Sequence, residues 1–352
     1  MRAAVFHGTD ELELVDDREQ REPGPGELLL RIAAATVCGT DLRILRGEKT
    51  SHVEPPVVLG HELAGHVEQV GKGVEGFEVG ALVGVAPLVA CGWCVHCRAD
   101  RENACLNLDI IGYNLDGGLA EYVTVPERAV RRGNVVAADD ALDPEQLCLA
   151  EPLSCCLNGH ERSRVAVGDT VLILGAGPIG LLHTQLARRS GASKVIVSEP
   201  LAERRRFASE LGADVVVDPE SDDLAEAVAT ETDGLGPHAT VIAIGIPALV
   251  GTALELTRVG GTVTIFAGLA GDGVSEVAAN LIHYNELVVT GVTGSRRRDY
   301  ALAVQLIERG EIDVATLLTD RFLLSEAEEA IAAVERNDGI KTAVVPSLDE
   351  ER

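Results

Sequence analysis

The chain has 352 residues, of which 46% are hydrophobic, and a formal net charge of -26; that length suggests two domains of ordinary size, and two lobes provide a cleft. The acidity argues against a nucleic-acid partner, because phosphate backbones are bound by basic patches, and disfavours acidic membrane surfaces; no apolar run reaches the roughly 20 residues of a membrane-spanning helix. Carboxylates far outnumber the arginines and the four lysines, Lys49, Lys72, Lys194 and Lys341, a balance expected of a salt-adapted (halophilic) surface more than of an ordinary acidic cytosolic enzyme.

Met1 to Phe6 alternates like a strand and shows no apolar stretch ending in a cleavage site, so a mature, cytoplasmic protein is expected. Residues 1–150 are rich in Val, Gly and Pro, with short strand-like runs such as Leu28-Leu29-Leu30-Arg31-Ile32; they predict a small β-rich domain. From 151 to 292 apolar runs at 171–175, 194–199, 215–218, 240–245, 261–268 and 287–292 alternate with helical spacing. Six buried parallel strands joined by helices predict an α/β doubly wound sheet. The segment 293–352 resumes a mixed pattern, with helices near 299–308 and 325–335 and a strand-like run at 341–346, and is expected to return to the first domain. A frayed end is expected at 349–352.

The first chemistry-bearing motifs are Cys38-Gly39-Thr40-Asp41 and Gly60-His61-Glu62, with Glu151-Pro152 further on. A thiolate, an imidazole and two carboxylates supply the mixed S, N and O ligands of a zinc site that keeps one position open for chemistry. Taken singly, each residue has an ordinary reading: Cys38 a small buried hydrophobe, His61 a core histidine, Glu62 a solvated charge.

Next come Cys91, Cys94, Cys97 and Cys105. In a cytoplasmic chain such a cluster binds metal more often than it forms disulfides, and four thiolates close a tetrahedral structural zinc site. An iron–sulfur cluster is the main rival, but there the fourth cysteine is often followed by Pro, and here Leu106 follows Cys105. Asp100 and Glu102 argue against a nucleic-acid-binding zinc ribbon.

Gly175-Ala176-Gly177-Pro178-Ile179-Gly180 follows the apolar run Val171-Leu172-Ile173-Leu174 and opens a helical segment. Gly175 permits the tight turn, Gly177 lets the backbone approach a pyrophosphate, and Gly180 lets helix and strand pack closely, with the phosphates facing the helix N-terminus. Glu199, at the end of the second strand, can accept hydrogen bonds from both ribose hydroxyls and repels a 2′-phosphate, which favours NAD over NADP. Arg204, Arg205 and Arg206 oppose that reading, since a nearby arginine accommodates such a phosphate; their position on a helix assigns them an adenine-stacking or solvated role instead. Arg296, Arg297 and Arg298 precede a helix, where cations oppose its dipole. They form either a substrate-binding turn, with Arg298 the candidate, or a solvated basic turn.

Together these motifs, with Gly117-Gly118-Leu119-Ala120-Glu121-Tyr122, stand in the order found in the zinc-containing medium-chain dehydrogenases, and the chain resembles that family over nearly its whole length. The resemblance implies a GroES-like β domain carrying the metal, a Rossmann domain carrying the nucleotide, and two zinc ions per chain, one catalytic and one structural. It makes Cys38 and His61 ligands of the catalytic zinc and Glu62 a ligand or exchanging carboxylate. Glu151 occupies the place where ethanol-type members carry a cysteine ligand, and polyol and L-threonine dehydrogenases are more similar there. Cys155 and Cys156 are out of register for ligation and read as lining residues, Cys148 as core.

The implied activity is hydride transfer between a secondary alcohol, a polyol or sugar, and NAD, with L-threonine-type amino-alcohol oxidation as the alternative. Thr40 is implied as first proton acceptor. Relatives carry a histidine relay where this chain has Arg43, which stays protonated, leaving His52 or water for that step. Leu45, Tyr113 and Asn114 are candidate substrate-pocket residues. A homodimer or homotetramer is implied, the run at 287–292 offering an edge for pairing. A nucleotide-binding regulator that lost its chemistry is the reading from another class, and it has no need of Cys38, His61, Glu62 and Glu151 together.

Overall fold

A computed structural model describes residues 1–346; the frayed end expected at 349–352 lies outside them. The chain divides into two compact units. The first comprises Met1–Ser154, Gly294–Gly310 and the described residues from Val314, and the second Cys155–Thr293 with Glu311–Asp313.

The first unit is built on a seven-stranded sheet in which Val135–Ala137, Leu82–Val85, Glu62–Val70, Leu28–Thr36, Lys341–Val345 and Leu318–Leu323 are successive neighbours, with Tyr122–Val125 also paired to Leu28–Thr36. The strand Leu28–Thr36 does not alternate simply, because Leu28, Leu29 and Leu30 are all buried. Its pairing with Glu62–Val70 shifts register between Leu29 and Leu30 and again between Ile32 and Ala34. Such irregularities turn successive side chains into the core where a regular pleat would send one to solvent. Short helices interrupt this β-rich unit at Gly39–Leu45, Glu127–Arg132 and Pro144–Cys148. The C-terminal strand Lys341–Val345 lies antiparallel to Leu28–Thr36, with Ala343 opposite Thr36, while Thr36 faces Glu62 on its other side. That register brings the head of the last strand beside the first metal motif.

The second unit holds a six-stranded, wholly parallel sheet in the order Val215–Val217, Lys194–Ser198, Thr170–Leu174, Ala239–Ile242, Thr262–Ile265, Val288–Gly291. This is the doubly wound arrangement expected from the sequence. Leu172, Ile196, Ile242 and Val263 are fully buried, and each contributes about 1.5–3 kcal/mol of apolar burial. Most strands end earlier than their apolar runs. Gly175, for example, has φ +98°, which takes the chain out of the sheet and into the turn before the helix Pro178–Arg189.

Two histidines of this unit are held neutral. Burial pulls the His160 imidazole down to about 4 and, with the charge of His160 adding, His183 down to about 3. Both ring nitrogens of His183 are buried without hydrogen-bond partners, and its ring meets Phe266 edge-on at 4.8 Å. In the unfolded chain both titrate near pH 6.5, so below that pH the unfolded state binds more protons and stability falls as pH drops toward the folded values. Each group contributes a slope approaching about 1.4 kcal/mol per pH unit. His183→Met is expected to remove one of the two; urea unfolding between roughly pH 6 and 4.5 checks this, and an unchanged slope contradicts it.

Candidate active site and metal-binding clusters

Cys38 follows the strand Leu28–Thr36 and is the N-cap of the helix Gly39–Leu45. Asp41, three residues on, is fully buried and accepts two hydrogen bonds: from the Cys38 backbone N–H to Oδ2 at 2.9 Å and from His61 Nδ1 to Oδ1 at 3.1 Å. One carboxylate thus caps the helix and accepts the Nδ1 proton, so that Nε2 offers a lone pair to a metal once the ring gives up its second proton. Burial disfavours charge on both partners, yet each holds the other ionised: His61 is raised well above its usual value and Asp41 lowered.

Glu62, the residue after His61, opens the strand Glu62–Val70 and is completely buried. Its Oε2 accepts from the Thr36 hydroxyl and from Lys341 Nζ at 2.5 Å. Burial opposes the charge of Lys341, but Glu62, and then Cys38 and Asp41, carry its pKa above the usual range. Glu62 Oε1 is buried with no hydrogen-bond partner. A buried carboxylate oxygen left bare is costly unless a cation meets it.

The donor atoms of Cys38, His61 and Glu62 lie within 4.8 Å of one another, a spacing suited to a single ion with ligand distances of about 2.0–2.3 Å. Glu151 is not part of that group; it stands in the first turn of the helix Ala150–Ser163, 8% exposed, and its charge acts on Tyr113. Tyr113 is buried and its ring meets that of His61 edge-on at 5.5 Å. Thr40 Oγ1 lies 3.6 Å from Cys38 Sγ. Sequence reasoning quoted Asp41 without a role and missed Thr36 and Lys341. The capping spacing from Cys38 to Asp41 was a legible signal, whereas Lys341 reaches the site only through sheet pairing.

Cys91, Cys94, Cys97 and Cys105 form the second cluster. The sulfur separations Cys91–Cys97, Cys94–Cys97 and Cys94–Cys105 are 3.9, 3.5 and 3.9 Å. Four thiolates at about 2.3 Å around a tetrahedral ion stand about 3.8 Å apart, whereas a disulfide requires about 2 Å. Backbone N–H groups of Cys91 and Asn107 donate to Cys105 Sγ, and that of Gly92 to Cys97 Sγ, at 3.2–3.3 Å; these bonds favour thiolate, but burial outweighs them and raises both thiols in the metal-free lobe. Burial raises the Cys91 thiol, but the N–H groups of Trp93 and Cys94 draw it down to about 6.

The three cations expected before a helix stand at its start, Arg296 as the N-cap and Arg297 and Arg298 as the first residues of the helix Arg297–Glu308, and all meet carboxylates of this unit. Arg296 pairs with Asp299 at 2.8 Å, Arg297 donates to Glu102 at 2.8 Å, and Arg298 lies 3.0 Å from Asp100, both of the latter more than half exposed. Asp299 also caps the helix through the Arg296 N–H, so the dipole is answered from within the turn. Glu102 and Asp100 belong to the segment between Cys97 and Cys105, and the arginine turn therefore anchors the cysteine lobe.

In the second unit, a Cβ on Gly177 would find only Arg204 Nη1, at 3.8 Å, and a Cβ on Gly180 would lie 1.9 Å from the Gly175 carbonyl oxygen. The former leaves the backbone open to a phosphate; the latter is the close helix–strand contact. Gly180→Ala is expected to destabilise this unit by about 1–3 kcal/mol and to weaken dinucleotide binding, read by thermal unfolding and fluorescence titration with NADH. Wild-type values for both would show that the contact is not limiting. Glu199 is buried, and its two carboxylate oxygens accept from the N–H groups of Ala176 at 2.7 Å and Leu201 at 3.0 Å. Arg205 is committed to the Glu199 and Pro200 carbonyls and to Asp218 at 2.9 Å, and Arg206 to Glu210 at 2.8 Å.

Residues 24–134 match the alcohol dehydrogenase GroES-like domain, and residues 178–309 match the family described as zinc-binding dehydrogenase. L-threonine 3-dehydrogenase from Pyrococcus abyssi is 37% identical over 304 residues, covering 86% of this chain and 85% of its own. Sorbitol dehydrogenase from Bacillus subtilis is 29% identical, covering 99% and 98%. A structure from Sinorhizobium meliloti, described as a zinc-binding dehydrogenase bound to NADP, superposes with a TM-score of 0.92 at 35% identity, covering 98% of this chain and 99% of that one. By its two domain matches, its GroES-like and Rossmann-type architecture and its likeness to these relatives along most of its length, the chain belongs to the zinc-binding dehydrogenases, an oxidoreductase family.

Proposed function

We propose that this chain oxidises a secondary alcohol of the polyol or sugar class with NAD, using zinc held by Cys38, His61 and Glu62 and a second, structural zinc in the Cys91, Cys94, Cys97 and Cys105 lobe. The observation that carries the reading is the buried donor group with one bare carboxylate oxygen on Glu62. Both clusters fit the metal by donor chemistry and spacing. Held at the first cluster by Cys38, His61 and Glu62, zinc would supply Lewis-acid activation of a substrate hydroxyl, and NAD would serve as the hydride acceptor.

The residues of the chain do the rest. Asp41 orients His61, while Thr36 and Lys341 hold Glu62. Thr40 accepts the hydroxyl proton and passes it on through His52 or water, and Tyr113 lines the substrate side of His61. Gly175 to Gly180 receive the pyrophosphate at the helix N-terminus and Glu199 the ribose hydroxyls; Arg204 stands beside Gly177. Glu199, whose two carboxylate oxygens are oriented by backbone N–H groups at the end of the second strand, supports NAD over NADP. Glu151, outside the donor group, alternates with Glu62 as a zinc ligand in this scheme. The proposed division is 1–150 for metal and substrate, 151–292 for nucleotide, and the described segment from 293 returning to the first apart from Thr293 and Glu311–Asp313, which group with the second unit.

Amino-alcohol oxidation of the L-threonine type is a second reading, favoured by the 37% identity to a protein of that name. A panel of polyols, sugars and L-threonine followed by NADH absorbance separates the two, and no turnover of any of them would sink both. Two zinc ions per chain are expected on metal analysis; a single one would favour a nucleotide-binding regulator. Thr40→Ala is expected to lower turnover about 100-fold or more with NAD affinity kept, and unchanged turnover contradicts the role.

Val288–Gly291 is the edge of the second unit's sheet, with Val289 37% exposed, which supports a homodimer or homotetramer through edge pairing; size-exclusion chromatography with light scattering tests it. Among the described residues no helix is long and apolar enough to cross a membrane, in keeping with the cytoplasmic reading. The net charge of -26 supports salt adaptation, checked by activity against salt concentration.

A further inference from the structure

Lysine is scarce in this chain, and two of the four lysines are placed by obvious partners: Lys341 by Glu62 and Lys194 by Glu231 at 2.5 Å. Lys49 is different. It is half-buried and enters no ion pair among the described residues, although the chain carries 56 carboxylates. Its ammonium sits instead 5.8 Å from the centroid of the Tyr113 ring, and that ring meets the His61 imidazole at 5.5 Å. Lys49 is therefore one aromatic ring away from the donor group.

The local backbone puts it there. After the helix Gly39–Leu45 the chain folds back, the N–H groups of Glu48 and Lys49 both donating to the Arg43 carbonyl at 2.9 and 3.0 Å. Arg43 is answered only loosely, by Glu48 at 3.7 Å, so a second cation stands near Lys49. Burial, and then the charge of Arg43, lower the Lys49 pKa. An ammonium partly withdrawn from water, beside a like charge and facing a ring in place of a carboxylate, has only a weak electrostatic partner. An incoming anion relieves that condition, and the long side chain can reach it at little cost in packing.

We propose that Lys49 recognises an anionic group, a carboxylate or a phosphate, on the alcohol substrate, so that the enzyme selects secondary alcohols bearing such a group. This assignment rests on the dehydrogenase reading of the Cys38, His61 and Glu62 site. It gives the residue a specificity role, with the hydroxyl at the donor group and the anion at Lys49 fixing the substrate at two points.

The test compares sorbitol, sorbitol 6-phosphate and L-threonine as substrates of the zinc-loaded wild type, Lys49→Met and Lys49→Arg. The wild type is expected to prefer one of the two alcohols that bear an anionic group, the phosphate of sorbitol 6-phosphate or the carboxylate of zwitterionic L-threonine, which identifies the anion. In Lys49→Met the anionic-to-neutral ratio of kcat/KM should fall about 10- to 100-fold, chiefly through KM, with Lys49→Arg retaining most of it. A ratio unmoved by Lys49→Met, or a wild type that oxidises sorbitol but neither anionic alcohol, overturns the assignment and leaves the dehydrogenase reading intact. No NADH from any of the three overturns the assignment together with that reading.

Discussion

Lys341→Met is expected to destabilise the metal-free first unit by about 3–5 kcal/mol. The substitution leaves the buried Glu62 carboxylate with the Thr36 hydroxyl as its single partner, because Oε1 already has none and Oε2 loses the ammonium at 2.5 Å. Removing one member of a buried pair exposes the full desolvation penalty of the other, whereas removing both is often neutral. Lys341→Met combined with Glu62→Leu should therefore be more stable than Lys341→Met alone, a non-additivity that identifies the pair itself as the cause. Zinc should restore part of the loss in the single variant, since a cation at the donor group supplies Glu62 with a new partner. Urea unfolding with and without zinc measures all three. A single-variant loss below about 1 kcal/mol, the range of an exposed pair, would show that the pair does not hold the site.

Asp41→Asn is expected to weaken zinc binding at the Cys38, His61 and Glu62 site about 10- to 100-fold, the usual effect of removing a carboxylate that orients a ligating histidine. Asparagine can still accept the Cys38 N–H through its side-chain oxygen, so the helix Gly39–Leu45 should persist. The pH dependence carries a further signature. In the metal-free wild type Asp41 raises His61 well above its usual pKa, so binding must expel a proton, and affinity should rise with pH until that raised value is passed. In the variant His61 returns toward the ordinary range, and the dependence should level off at lower pH. Competitive chelator titration reads both effects, with the cysteine lobe as internal control. Equal affinities and equal pH profiles in the two proteins would contradict the role.

The architecture was legible because each unit announces itself by periodicity. Apolar runs near 172, 196, 242 and 263 became parallel strands, since only burial on both faces makes such runs profitable. Strand ends were less legible: Gly175 was counted with the first strand, and its positive φ removes it. The cysteine lobe was legible from spacing alone, because its four sulfurs come from one short segment. The donor group was legible in part. Cys38, His61 and Glu62 converge, but Glu151 does not join them, and chain order carries no information on how far a helix stands from a strand.

By itself the sequence determined the order of the two units, the glycine turn of the nucleotide loop and the candidate metal donors, all of which depend on residues close together in the chain or on strongly patterned burial. The tertiary structure decided which charges are held and by what. Strand pairing put Lys341 against Glu62 and Thr36 beside both, the helix cap turned Asp41 toward His61, and the cations at Arg296 to Arg298 closed on Asp299, Glu102 and Asp100 rather than standing free. The physical reason is common to all of them. A charge is satisfied by whatever opposite charge lies within a few ångströms, and that distance is set by sheet register and helix placement, not by position along the chain.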